Sequence, residues 1–426
     1  MKQKLSILIM FILTGAGISQ SLQEAVYMAL KNNAEVQSAQ AGVEAAELQF
    51  AAKKASRWPD FSLDASYKHV TAVPEISFPG MPSGKKIELG LYDSYDAGLG
   101  VNYLIFSGFA QREQINISGR KKDLGMNNLH KTERDAAIAV IRHYKNVQFF
   151  NVQEQLLQAA QNRTELQLKR VKSLLENGMA LAVDTLTLSL AAAQAEQDIL
   201  INRAGLETTE QALQTAAGAE ISPDKEINPQ IPLYAEFSLN DQPAVKSIDL
   251  QKQINISQKT AGESAYYPAV FAGAAVRHGK PGLDIVKKDW MTYGVVNVGL
   301  NWSIFKWGAD KKEIEAVKAQ GRSLDFQRQA VTDGLKLKYD QAEREFISLK
   351  EQLSVVRKAV RLSRDKMKII ENSANEGQVS ATDFNDANLE LLQSELNEKK
   401  ILLQIQIKAS ELDYLSGKPI SSWSIK

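Results

Sequence analysis

Residues 100–110 read GVNYLIFSGFA, and residues 299–309 read GLNWSIFKWGA. Glycine, an apolar residue, Asn, an aromatic, any residue, Ile and Phe recur in the same order 199 residues on. Before each copy the chain alternates. Tyr95, Ala97, Leu99, Val101 and Tyr103 interleave with Asp96, Gly98, Gly100 and Asn102. Val296, Val298, Leu300 and Trp302 interleave with Asn297, Gly299 and Asn301. A period of two marks a strand with unlike faces. After each copy the period becomes helical, so each motif is a seam where a strand runs into a helix. Ser107 and Asp310 stand where a side chain can accept from the free amides of a helix start.

Each seam strand has an earlier partner. In FSLDASYK (61–68) Phe61, Leu63, Ala65 and Tyr67 alternate with Ser62, Asp64, Ser66 and Lys68. Val270, Ala272, Ala274 and Val276 share a face, with Phe271 on the other. Strands of about 10 residues are long enough to cross a membrane when tilted. Trp58, Trp290, Trp302 and Trp307 lie at or beside strand ends, with Tyr92, Tyr103, Tyr266, Tyr267 and Tyr293. Aromatic girdles at both interfaces mark outer-membrane barrels. The competing reading is a soluble sandwich whose aromatics plug its core.

The helical segments are as plain. Among the eleven prolines none falls between Pro82 and Pro223 or between Pro281 and Pro419. Proline breaks a helix interior at a cost of about 3 kcal/mol, so these gaps can hold long helices. Phe346, Leu349, Leu353, Val356, Val360, Ser363, Met367 and Ile370 form a heptad seam with one serine in it. Phe149, Val152, Leu156, Ala160, Thr164, Leu168, Val171 and Leu175 keep a looser helical spacing. The pattern resumes at Leu389, Leu392, Leu396, Leu403 and Ile407.

The repeat covers more than the seams. Phe106 to Gly178 and Phe305 to Gly377 both span 72 residues. Asp184 pairs with Asp383, Gln194 with Gln393 and Glu196 with Glu395 at the same offset. Upstream, WPDF (58–61) matches YPAV (267–270) at an offset of 209, so the first hairpin loop is ten residues longer. The chain therefore reads as mainly α with transmembrane β, built from a duplicated helix–strand–strand–long helix–helix unit. Repeat 1 spans 20–217, with strands near 60–70 and 93–105 and a long helix near 107–177. A proline-rich linker follows at 218–242. Repeat 2 spans 243–426, with strands near 269–278 and 293–304 and a long helix near 308–376. At 1.5 Å per residue each long helix runs roughly 105 Å, far more than a membrane is thick.

Composition removes other classes. A net charge of +1 over 426 residues gives no global field for nucleic acid. Without cysteine there is no disulfide, no thiolate metal site and no acylated lipoprotein cysteine. Of the four histidines none stand at i, i+4, and G-x-S-x-G, H-E-x-x-H and P-loop motifs are absent, so neither an enzyme nor a bound cofactor is expected. MKQKLSILIMFILTGAGISQ has two lysines, then a short apolar core, then small residues, which reads as a signal peptide over 1–19.

Four strands cannot seal themselves, and lipid tolerates no open sheet edge. Two chains would give eight strands and three would give twelve. The export signal, the WP/YP helix-to-strand turns, the G-x-N-aromatic-x-I-F seams and the duplicated unit resemble the outer-membrane efflux protein family, the TolC-like channels. The resemblance implies a homotrimer in which a 12-stranded β-barrel continues into a 12-helix periplasmic α-barrel. It implies the exit duct of a tripartite efflux pump or a type I secretion system in a Gram-negative outer membrane. A periplasmic adaptor (membrane fusion) protein and an inner-membrane transporter would be its partners.

By the same resemblance, the helix tips ENGMALAVD (176–184) and NEGQVSATD (375–383) contact the adaptor through Gly178, Met179, Gly377 and Gln378. Asp383 and Asp386, with Asp184 as the repeat-1 counterpart of Asp383, resemble a pore constriction. Position 187 is Thr, so only repeat 2 supplies the pair. The alternative for these acids is compensation of the helix macrodipole. The basic latch of some relatives falls at Val379, where it is missing. Trp58, Tyr103, Tyr267, Trp290, Trp302 and Trp307 are the expected membrane-interface aromatics. Two rival readings are a periplasmic coiled-coil scaffold without channel activity, which leaves the strands unexplained, and a general porin, which leaves the helices unexplained.

Overall fold

The computed structural model describes residues 19–76, 87–284 and 287–423. The expected signal peptide lies outside them except for Ser19, as do Pro79 and Pro82 of the longer hairpin loop. In chain order the elements are α1 (Leu22–Asn32), α2 (Ala34–Ala55), β1 (Asp60–His69), β2 (Glu75–Ile76), β3 (Ile87–Glu88), β4 (Asp93–Ser107), α3 (Ala110–Glu176) and α4 (Ala182–Ala217). After a largely irregular segment come α5 (Pro243–Glu263), β5 (Ala269–Lys280), β6 (Met291–Asn301), α6 (Ala309–Asn375) and α7 (Ala381–Leu415). The duplicated order of helix, two strands, 67-residue helix and helix is present in both halves. Compact units do not follow the repeats. Ala41–Asn127 and Ser247–Ala330 form one unit, and the rest of the described chain forms the other.

Local chemistry sets the helix ends. Ser21 and Glu24 make a capping box on α1: Ser21 Oγ accepts from the Glu24 amide at 3.3 Å, and the Ser21 amide donates to Glu24 Oε2 at 2.8 Å. Asn33 ends α1 and starts α2, its Oδ1 accepting from the amides of Glu35 and Val36 at 2.9 and 3.2 Å. Gly218 closes α4 at φ 65°, where a Cβ would stand 2.5 Å from the Asn32 carbonyl oxygen.

The unit without the main sheet holds the cores. Leu22, Ala25, Val26 and Ala29 of α1 pack against Val140, Ile141, Tyr144 and Val147 of α3 and against Leu213 of α4. A second cluster joins Tyr339, Phe346 and Leu353 of α6 to Ile401, Ile405 and Leu412 of α7. A third joins Val171, Leu188, Met367, Phe384 and Leu391. The heptad seam is thus the buried stripe of α6, and its serine is satisfied: Ser363 Oγ donates to the Ala359 carbonyl at 3.0 Å. Thr164 in the looser stripe of α3 is buried too and accepts from Asn388 Nδ2 at 3.0 Å. On α7 the five-residue stripe is too narrow. Leu389 is exposed, whereas Leu391, Leu402, Ile405 and Leu412 are buried, because this helix packs on more than one side.

In the other unit the main sheet has the order β1-β4-β5-β6, every pair antiparallel. The two repeats meet where β4 pairs β5, and among the described residues β1 and β6 each have one partner only. Short strands β2 and β3 pair separately. No helix among the described residues is long and apolar enough to cross a membrane.

Candidate functional site

The register sorts the sheet into two faces, because directly opposed residues point the same way. Leu63, Leu99, Val276 and Gly294 form one row, and Phe61, Val101, Ala274 and Val296 the next. These side chains are uncovered: Leu99 is 66 % exposed and Val296 81 %. The opposite face carries Asp64, Gly98, Arg277 and Tyr293 in one row and Asp60, Asn102, Gly273 and Asn297 in another. A large contiguous apolar face left open is a contact surface for lipid or partner.

The polar face explains two glycines and one misfit. Arg277 on β5 reaches over Gly98 on β4 to Asp64 on β1, with Nη2 2.5 Å from Asp64 Oδ2 and Nε 2.8 Å from Asp96 Oδ1. A Cβ on Gly98 would stand 3.1 Å from Arg277 Cγ. Phe271, the apolar residue on the polar side, lays its ring over Gly299, where a Cβ would be 2.1 Å from a ring carbon. Glycine here clears the path of a neighbour's long side chain.

The interface aromatics fall at both ends of the sheet. Trp58 and Tyr267 precede β1 and β5, Tyr103 lies in β4, and Trp302 and Trp307 follow β6. Trp290 precedes β6 at the other end, where its ring stacks on His278 at 5.0 Å and lies 5.9 Å from Tyr95, itself 5.2 Å from Tyr67. Pattern reading omits Tyr95, Tyr67 and His278 from this row, although Tyr67 and Tyr95 are plain in the alternation. It includes Tyr293, which the register turns to the polar face, its hydroxyl 3.4 Å from Asp96 Oδ2.

The seams differ between repeats. β4 continues to Ser107, held by β5 down to Ala269, with a register shift between Leu104 and Phe106. β6 stops at Asn301, because Ala269 opposite it is the first residue of β5. Trp302, Ile304, Phe305 and Trp307 follow exposed and without a strand partner among the described residues, Trp307 at 90 %. Each turn needs two successive left-handed residues, Gly108–Phe109 and Trp307–Gly308, and glycine fills a different one each time. Ser107 Oγ accepts from the Gln111 amide at 3.1 Å, as expected. Asp310 instead takes Lys306 Nζ at 3.1 Å, because it already lies inside the first turn of α6.

At the helix tips Gly178 (φ 68°) and Gly377 (φ 74°) close the long helices. The Met179 amide returns to the Leu174 carbonyl at 2.8 Å, and the Gln378 amide to that of Ser373 at 3.0 Å. Asp184 and Asp383 sit in the first turns of α4 and α7. Asp184 Oδ2 accepts from the Leu181 amide at 3.3 Å. Asp383 Oδ2 accepts from Ser380 Oγ at 2.7 Å, while the Asp383 amide donates back at 3.1 Å. Asp184 therefore caps its helix start, whereas Asp383 holds the hydroxyl of Ser380, which is itself the cap of α7. Asp386 is exposed, with no hydrogen bond or ion pair among the described residues. Lys366 pairs with Glu390 at 2.5 Å, and its ammonium is held above the ordinary lysine range chiefly by that bond, with Asp386 and Asp383 adding to it.

The two tips are unlike in polarity. Met179, Leu181, Val183 and Leu186 are all well exposed. Their counterparts in repeat 2 are Gln378, Ser380, Thr382 and Asn385.

The sequence profile of the outer membrane efflux proteins matches the chain twice, over residues 25–219 and 228–418. No curated protein sequence matches significantly. Among solved structures the fold is similar to that of CusC, at TM-score 0.77 and 14 % identity over 96 % of each chain. It is similar to the Campylobacter jejuni CmeC outer membrane channel, at 0.76 and 16 % identity over 95 % of this chain and 87 % of that one. The open state of the Neisseria gonorrhoeae MtrE outer membrane channel gives 0.77 and 16 % identity, over 93 % and 88 %. At such identities the likeness is one of fold.

Proposed function

Because the chain belongs to the outer membrane efflux protein family, we propose that it is the outer-membrane exit channel of an efflux pump, a passive conduit through the outer membrane and periplasm. One observation carries the reading: a four-stranded sheet with an uncovered apolar face and an unpaired edge on each side. Strand edges in lipid must be paired, and a barrel needs at least eight strands. Three copies joined β6 to β1 close twelve strands, with the Arg277 side turned inward. The exposed chain from Trp302 to Trp307 would then meet the next copy at the membrane boundary.

The long helices supply the wall of the periplasmic duct. The aliphatic tip at Met179, Leu181, Val183 and Leu186 offers an adaptor more apolar area than the polar tip around Gln378, so the first repeat carries the stronger adaptor contact. Asp386, which makes no hydrogen bond or ion pair among the described residues and feels only the nearby charge of Lys366, is the acid that would act most directly on a passing ion; Asp383 and Asp184 contribute from the helix starts. Rings of carboxylate favour cations.

In detergent the protein is expected to run as a homotrimer in native mass measurement and to form ohmic channels in planar bilayers. A monomer released from membranes by carbonate, without detergent, would overturn the reading in favour of a periplasmic scaffold. In the same bilayers, the Asp383→Asn, Asp386→Asn double variant should shift the reversal potential toward lower cation preference. An unshifted potential removes the acidic ring while leaving the channel in place.

A further inference from the structure

Where the irregular segment after α4 passes α3 and α7, it leaves a cavity of about 210 Å3. Its apolar wall is made of Leu22, Ile231, Pro232 and Leu233. Two glutamines pin the irregular segment: Gln148 Nε2 donates to the Glu226 carbonyl at 2.7 Å, and Gln406 Nε2 to that of Asn228 at 2.5 Å. The cavity also holds one cation, Lys145, and no carboxylate lines it.

Lys145 is only 5 % exposed, yet its ammonium makes no hydrogen bond or ion pair among the described residues. The Tyr144 ring lies 5.9 Å from Nζ. Asp224 is the acid whose charge reaches it, without contact. Oε1 of Gln148 and of Gln406 is enclosed and unpartnered, so the lysine gives its protons to neither. Its nitrogen is not among the enclosed orphan atoms, which leaves it open to the cavity. A buried cation without a partner is unfavourable, and an anion entering the cavity would relieve it. Burial draws Lys145 down to about 8, so at pH 7 it is still mostly charged.

We propose that this cavity binds a small branched aliphatic carboxylate, its charged head on Lys145 Nζ and its hydrocarbon against Leu22, Ile231, Pro232 and Leu233. Asn228, Gln230, Gln406 and Ser410 complete the lining, and an apolar wall beside one fixed charge favours a ligand with both properties. The site is independent of the conduit and would exist whether or not the protein conducts.

The test uses the full-length protein in detergent and 4-methylpentanoate as probe, titrated by calorimetry at pH 7. Saturable binding is expected with a dissociation constant on the order of 1 mM or tighter. The alcohol 4-methylpentan-1-ol and the amine 4-methylpentylamine, which keep the skeleton and lose the negative charge, should bind at least tenfold more weakly. Lys145→Met, which keeps the side-chain stem, should abolish saturation. A second measurement needs no variant: acetylation of Lys145 by a small acylating reagent at pH 8, read by peptide mass spectrometry, should slow at least fivefold with 4-methylpentanoate. Equal binding of acid and alcohol, saturation retained in Lys145→Met, or an acetylation rate unmoved by the acid would each overturn the site. A lysine that is unreactive in the native oligomer with or without the acid would overturn it too, since another chain then fills the cavity.

Discussion

Leu99→Lys is expected to strip the protein from the outer membrane. Leu99 sits in the central strand β4, midway between Tyr95 and Tyr103, on the apolar face and 66 % exposed. On the lipid face of a barrel a lysine near the midplane costs about 2–4 kcal/mol. Three copies bring about 6–12 kcal/mol per trimer from the same principle, which is comparable to the whole stability of a domain. Heat-modifiable trimer on semi-native gels, and the amount in sucrose-gradient outer-membrane fractions, should fall to near background. Asn297→Lys faces the polar side of edge strand β6 and should assemble as wild type. If the sheet instead faced water on both sides, Leu99→Lys would be a surface change within about 0.5 kcal/mol. Equal trimer yields from the two variants would therefore sink the membrane assignment.

What pattern reading delivers here depends on whether a feature is local. The α6 seam from Phe346 to Ile370 is legible because period, propensity and absence of proline agree within one segment. Gly178 and Gly377 are legible for the same reason, since a helix end followed by a left-handed residue is a local event. Features that need a second strand are not. Gly98 and Gly299 look like residues chosen for smallness, but the reason lies on β5, in Arg277 and Phe271, more than 170 residues from Gly98. Tyr293 looks like a belt aromatic until the register sets it opposite Arg277. The end of β6 at Asn301 depends on where β5 begins. At the tips the sequence places Asp184, Asp383 and Asp386 on comparable footing. Only the side-chain geometry separates Asp184, which caps an amide, and Asp383, which holds the capping serine, from Asp386, which makes no hydrogen bond or ion pair among the described residues.

The hardest residues to see are the buried cations of α3. Lys145 and Arg134 lie in a helix rich in charge, where a solvated face is the ordinary expectation. Their surroundings come from the irregular segment and from the C-terminal end of α7, which no helical period can announce. The two then differ in fate. Arg134 is met by backbone oxygens, while Lys145 is left open to a cavity.

That difference makes Arg134→Met the strongest test of the helical unit. Arg134 is 6 % exposed; Nη1 donates to the Gly417 carbonyl at 3.0 Å and Nη2 to that of Tyr414. Its guanidinium also lies 5.2 Å from the Tyr414 ring and 5.9 Å from that of Trp423. One side chain thus caps the end of α7 and fastens the residues that follow it. Methionine keeps the volume but takes the guanidinium donor from the Gly417 carbonyl and leaves the Tyr414 carbonyl with backbone amides only, that of Gly417 at 3.5 Å. Charge-assisted hydrogen bonds contribute about 1.5–3 kcal/mol each, so a loss of roughly 3 kcal/mol is expected after allowing for the packing that methionine restores. At 1.4 kcal/mol per tenfold that is about a hundredfold in an equilibrium constant. Assembled membrane proteins often unfold irreversibly, so the readout is a rate: loss of helical circular dichroism at fixed temperature. The half-time should shorten by up to about a hundredfold, the limit reached if these bonds are already broken in the unfolding transition state. Lys131→Met removes an exposed i,i+4 pair with Asp135, 3.1 Å apart, and should change the rate less than about fivefold. Arg134→Lys should restore only part of the loss, because an ammonium lacks the fork that reaches both carbonyls. An Arg134→Met half-time within twofold of wild type would mean that water or neighbouring donors satisfy the α7 terminus without this residue.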